Sequence, residues 1–270
     1  MSSVAPDPAR PELVRLEHDP EAPGLATLTV ASPPLNLLDP ALTDAFDAAL
    51  QALEATPPRA LLLRAEGRVW TGGVEVRTFA GRSPEGGREL WTRLLGFAQR
   101  IEALPCPSLF SAHALCLTWG FELALACDLL IAASEAKFGL VERVVGLTPS
   151  MGGPQRLTER AGPARARELV FTGERYPAAV LERWNVVNRV LPDEGFAAAA
   201  REYAHRVAAG PTVAHAATKQ LVAETVRNGA RAADALVPEV SGALFATEDL
   251  RGAVASFLTE GPGKASYSGR

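Results

Sequence analysis

Leu115-Cys116-Leu117-Thr118-Trp119-Gly120-Phe121-Glu122-Leu123-Ala124 is the stretch on which the reading of this chain turns. Residues 108–115 before it and 129–133 after it are short apolar runs suited to strands, and a helix from about Phe121 fits between them. Strand, helix and strand in succession predict an α/β core. Glu122 stands inside this apolar segment, where an ionised carboxylate is costly unless something pairs with it or uses it. It is therefore a candidate for proton transfer. The same argument applies to Glu142, in Phe138-Gly139-Leu140-Val141-Glu142, just before the glycine-rich Gly146-Leu147-Thr148-Pro149-Ser150-Met151-Gly152-Gly153. Each acid also has a plain structural reading. Glu122 could be a helix N-terminal acid favoured by the dipole, and Glu142 could pair with Arg143 or Arg156 at the surface.

Working toward the N-terminus, residues 88–104 predict a long helix stopped by Pro105 and Pro107, and residues 60–64 a buried strand. Residues 82–87, rich in Gly, Ser and Pro, read as a mobile loop. Asp39-Pro40 supplies a cap and a first-turn proline for a helix whose Leu42, Phe46, Ala49, Leu50 and Leu53 share one face. Residues 13–18 and 25–32 predict a hairpin across Asp19-Pro20-Glu21-Ala22-Pro23-Gly24. Toward the C-terminus the pattern becomes helical: 152–161, 163–171, 177–184, 194–209, 211–227 and roughly 230–258, with a strand at 186–191 and a loop after Gly261. Asn185 suits a left-handed helix cap.

The 270 residues, 47% of them hydrophobic, suffice for one large core with an appended segment. A net charge of −4 gives no global attraction to nucleic acid or an anionic membrane. No apolar window is long enough to span a bilayer, and residues 1–10 do not resemble a signal sequence, so a soluble cytoplasmic protein is expected. Cys106, Cys116 and Cys127 lie in apolar runs and read as reduced core thiols. The four histidines show no ligand spacing beyond the lone His113 and Cys116 pair, so no metal is expected.

Val69-Trp70-Thr71-Gly72-Gly73-Val74-Glu75-Val76, the Gly120-Phe121-Glu122-Leu123-Ala124 and Ala126-Cys127-Asp128 segments, and the run from Phe138-Gly139 to Gln155-Arg156-Leu157 together resemble the crotonase family, the enoyl-CoA hydratases and isomerases. The likeness extends from Pro33-Pro34-Leu35-Asn36 to Phe257-Leu258. It implies an α/β spiral of ββα units carrying the acyl-CoA site, over residues 1–192, and a helical C-terminal region, 193–270, that joins subunits into a homotrimer or a dimer of trimers. It further implies that the backbone N–H groups of Val74 and Trp119 bind the thioester oxygen, that Glu122 deprotonates the attacking water and that Glu142 handles the proton at the α carbon. Gly72, Gly73 and Gly120 would line the substrate turns, with Arg77, Arg82 and Lys264 toward the anionic end of coenzyme A. The substrate is then an acyl-CoA thioester, and no separate cofactor is expected. The same resemblance admits an enoyl-CoA isomerase or another acyl-CoA lyase, and a catalytically silent CoA-binding homologue. Where Trp119 stands, the family usually has Gly. Its indole either lines the acyl pocket or fills the core.

Overall fold

The computed structural model describes residues 12–270; residues 1–11, which include the whole of the segment read as unlike a signal, lie outside it. β1 (Val14–His18) and β2 (Leu25–Val30) form the expected antiparallel hairpin. Helix α1 (Pro40–Ala55) starts where Asp39 accepts the N–H of Leu42 at 2.8 Å, and its Leu42, Phe46, Leu50 and Leu53 are buried. β3 (Ala60–Ala65) follows, parallel to β2.

Helix α2 (Pro84–Ala103) begins earlier than the sequence suggested. The Ser83 hydroxyl accepts the N–H of Gly86 at 3.2 Å, and Pro84 occupies the first turn, where its missing N–H costs nothing. The segment expected to be a mobile loop is thus largely the first turn of a helix.

The crossover returns to β4 (Ser108–Ala112), parallel to β3, and continues through β5 (Cys116–Leu117), α3 (Trp119–Ala126), β6 (Leu129–Ala133) and β7 (Lys137–Gly139). Every residue of α3 is buried, as a helix apolar on all sides requires. Helix α4 (Gly153–Thr172) is broken at Gly162, whose φ of 80° precedes Pro163, so the two predicted helices are its two halves. β8 (Tyr176–Pro177), α5 (Ala178–Arg183) and β9 (Arg189–Leu191) complete the core strands. Asn185 takes the left-handed conformation expected of it, with φ 61°. The last strand is shorter than predicted because Asn188 substitutes its side chain for a ladder partner, accepting the N–H of Leu130 at 2.8 Å. The main sheet runs β1-β2-β3-β4-β6-β9, parallel from β2 onward, with a small sheet β5-β7-β8 beside it.

Helix α6 (Phe196–Ala208) lays Phe196, Ala200, Ala204 and Ala208 into the core against β2 and β3. Beyond it, α7 (Thr212–Asn228) buries no residue, α8 (Ala230–Ala243) buries only Ala233 and α9 (Glu248–Glu260) only Asp249. The single long helix expected over 230–258 is two, because Thr247 caps a new start by accepting the N–H of Leu250 at 3.1 Å. Among the described residues no helix is long and apolar enough to cross a membrane.

Candidate active site

Two turns meet beside the small sheet. The first, residues 71–75, is tied at successive atoms: Gly72 N donates to Leu35 O at 2.8 Å, Leu38 N to Gly73 O at 3.0 Å and Glu75 N to Leu38 O at 3.0 Å. Because the peptide unit is planar and trans, holding the Gly73 carbonyl on Leu38 points the Val74 N–H the opposite way. Gly73 itself has φ 120°, a conformation open to glycine. The second turn leads into α3. Thr118 O accepts the N–H of Glu122 at 2.9 Å, so the Trp119 N–H in the same peptide unit faces away from the helix. Among the described residues neither the Val74 nor the Trp119 N–H finds an acceptor. Both are therefore unpaired donors, on a fully buried residue at Trp119 and a half-buried one at Val74.

The two turns lie side by side because Thr71 bridges to Cys116, and Leu117 N donates to Thr71 O at 3.2 Å. Gly120 is required by this contact: a Cβ there would stand 2.5 Å from Thr71 Cγ2 and 2.6 Å from the Trp70 ring. Asn36, buried with φ 49°, fastens the first turn from outside, with Nδ2 2.9 Å from both Glu66 O and Trp70 O.

Glu122 is 2% exposed, and its Oε1 accepts the N–H groups of Met151 at 2.8 Å and Gly153 at 2.9 Å. Gly153 comes this close because it lacks a Cβ, which would sit 3.0 Å from Glu122 Oε1. Burial pushes the Glu122 carboxyl up to about 7, against the pull of the two N–H donors and of Arg156. Glu142 opens a short 3-10 turn, Glu142–Val145, and its Oε2 is buried without a hydrogen-bond partner among the described residues. Burial, then repulsion from Glu122, raises it to about 8. The surface pairings open to it in the sequence are not made. Arg156 is held by Glu102, with Nε to Oε1 at 2.6 Å, and Arg143 donates to Thr172 O at 2.6 Å. Glu122 likewise turns its carboxylate to the 151–153 turn and does not cap its own helix.

Of the residues singled out in the sequence, Gly72, Gly73, Val74, Trp119, Gly120, Glu122 and Glu142 come together. Arg77 is exposed in the 3-10 turn Val76–Phe79, which starts where the Glu75 side chain accepts the Arg77 N–H. Lys264 is exposed in the C-terminal loop. That loop ends on Asp249, whose carboxylate accepts the N–H groups of Ser268 at 2.6 Å and Gly269 at 3.0 Å. Gly269 lies against Arg59, at the end of β3 away from Val74. Among the described residues no hydrogen bond or ion pair joins Lys264 to either acid.

The Trp119 indole does not line an acyl pocket. It is fully buried, edge-on to Trp70 with centroids 5.3 Å apart and to Phe46 at 5.9 Å, and its Nε1 donates to Thr71 Oγ1 at 2.8 Å. Thr71 and Asn36 were missed as site-building residues. The only sequence signal was a threonine beside a glycine pair and an asparagine after two prolines, neither of which names a partner.

Solved structures carry the same architecture. An enoyl-CoA hydratase from Polaromonas sp. JS666 superposes with a TM-score of 0.86 at 27% identity, covering 94% of this chain and 99% of that one. The fold is crotonase-like, with a helical C-terminal region. The enoyl-CoA hydratase/isomerase family matches residues 21–265, and the chain belongs to that family. Among curated relatives, a "probable enoyl-CoA hydratase" of Rhizobium meliloti (strain 1021) is 30% identical over 84% of this chain and 88% of its own length. Another, "probable enoyl-CoA hydratase echA8" of Mycobacterium bovis, is 29% identical over 92% and 95%.

Proposed function

We propose that this chain hydrates 2-enoyl-CoA thioesters. The observation that carries the reading is the pair of N–H donors left unpaired among the described residues, Val74 and Trp119, set by two turns beside the buried Glu122 and the half-buried Glu142, whose carboxyls are raised to about 7 and about 8. Adding water across the double bond builds negative charge on the thioester oxygen, and donors fixed in advance on that oxygen lower the barrier. The remaining chemistry is two proton transfers, which call for one base and one acid.

The environments divide these roles. Glu122 has two N–H donors and a nearby guanidinium to favour its charged form, so it is the carboxylate that takes the proton from water as the oxygen attacks the β carbon. Glu142 has a partnerless oxygen and faces a like charge, so it is the carboxylic acid that gives its proton to the α carbon. Solvent exchange then restores the pair. Coenzyme A arrives as part of the substrate, and the carboxyl pair and N–H donors supply this chemistry without a separate cofactor. Arg77 and Lys264 are proposed to meet its phosphates, Lys264 from a neighbouring subunit. We also propose that region 193–270 assembles the chain into a homotrimer or a dimer of trimers, and that the protein works in the cytoplasm.

A panel of 2-enoyl- and 3-enoyl-CoA thioesters, followed by loss or gain of the conjugated-thioester absorbance, tests the reading. Loss with 2-enoyl substrates is the expected result. Turnover of 3-enoyl substrates alone assigns an isomerase, and binding without turnover assigns a silent CoA-binding homologue.

A further inference from the structure

We propose that Trp119 is a positioning residue that sets both thioester-oxygen donors at once: its own N–H is one, and its indole braces the turn that presents the other. The inference rests on the reading of Val74 and Trp119 as those donors.

The brace passes through one hydroxyl. Thr71 Oγ1 accepts from the Trp119 indole Nε1 at 2.8 Å and from Gly73 N at 2.9 Å, and donates to Asn36 O at 2.7 Å. A hydroxyl has one proton and two lone pairs, so the two donors fill its lone pairs and its proton goes to Asn36 O, with Gly73 O a longer second acceptor at 3.3 Å, which restricts its rotation. Gly73 is consequently fixed at both ends, its N–H on Thr71 and its carbonyl on Leu38, and the following Val74 N–H inherits that orientation. The indole cannot drift, since Trp70 and Phe46 meet it edge-on and it is wholly buried. A comparison within the same cluster shows that indole placement here is specific. Trp70 is equally buried, stacked on Phe110 at 4.5 Å, yet among the described residues its Nε1 has no partner. Helix α3 and the 71–75 turn therefore move as one body, and the separation of the two donors is set by a side chain that never touches substrate.

The test compares Trp119→Phe, which keeps a ring but loses the N–H, with Thr71→Val, Thr71→Ser and the Trp119→Phe/Thr71→Val double variant. Readouts are kcat and KM on a 2-enoyl-CoA, the denaturant midpoint, and the red shift of a conjugated aryl-enoyl-CoA on binding, which reports polarisation of its carbonyl. Trp119→Phe and Thr71→Val should each lower kcat about tenfold or more, short of the roughly hundredfold or greater loss attached to deleting a donor outright. KM should change less than about twofold, because the donors act on charge that develops in the transition state. The red shift should shrink in both. Thr71→Ser should restore kcat and shift, and the double variant should be no worse than the poorer single one. A lowered midpoint with wild-type kcat and red shift overturns the brace and leaves Trp119 as packing. Absence of turnover and of any red shift in the wild type instead overturns the hydratase reading and the inference with it.

Discussion

At the scale of the residue, the two acids carry the sharpest consequences. On the proposed hydration, Glu122→Gln and Glu142→Gln should each cut turnover of a 2-enoyl-CoA by about a hundredfold or more, since each would remove a proton-transfer group. Wild-type-like turnover in either folded variant would sink the assignment of that acid. The rate should follow a bell in pH, falling below about 7 as Glu122 protonates and above about 8 as Glu142 ionises; the two limbs belong to the pair and not to either residue alone. In Glu122→Gln the like charge is gone, so Glu142 should titrate below about 8, which side-chain carboxyl NMR of labelled Glu can follow. The linkage to stability has a definite sign. Both folded-state values lie above the ordinary 4.5, so between about 4.5 and about 8 the unfolded chain gives up its protons first and the folded state weakens as pH rises. The urea midpoint of a double Gln variant should therefore lose less between pH 5 and pH 8.5 than that of the wild type, each protein being compared with itself.

At the scale of the element, α3 shows how a helix is placed by what it lacks. A methyl group on Gly120 would collide with Thr71 and Trp70, so the helix can approach the first turn only with glycine there. Gly120→Ala should cost about 1 to 3 kcal/mol in denaturant unfolding, the usual penalty for overpacking. Its kcat should fall further than that of an equally destabilised variant elsewhere, because the displaced part carries the Trp119 donor. Equal losses at matched stability would show that the approach of α3 matters only for packing. Helix starts at Asp39-Pro40 and Ser83-Pro84 teach a related point. The first was legible because a clear apolar face followed the cap. The second was hidden because Gly86 and Gly87 suggest a loop, while in the folded chain the Ser83 cap and the buried Leu94, Phe97 and Ile101 outweigh them.

At the scale of the whole molecule, the apolar surface after α6 is larger than one chain can use. Val222 and Val226 share a face of α7 at more than half exposure, and Phe257 and Leu258 on α9 are 60% and 78% exposed. Light scattering at micromolar concentration should give a trimer or a hexamer, and Val222→Asp/Val226→Asp should reduce its mass. A monodisperse wild-type monomer contradicts that assembly.

The sequence by itself determined the alternation of strands and helices, the hairpin, the buried thiols and the two acids out of place in apolar runs, because periodicity, caps and polarity are local properties of the chain. Tertiary structure alone decided where the Trp119 indole points, that Thr71 joins it to Gly73, that Arg156 takes Glu102 and leaves Glu142 unpaired, and that Gly153 reaches Glu122. Apart from the Thr71–Gly73 bond, whose partners are two residues apart, each of these is a contact between residues far apart in sequence, fixed by the packing of one element on another. Nothing in the residues on either side of such a contact specifies which distant hydroxyl, carbonyl or carboxylate will be brought within 3 Å.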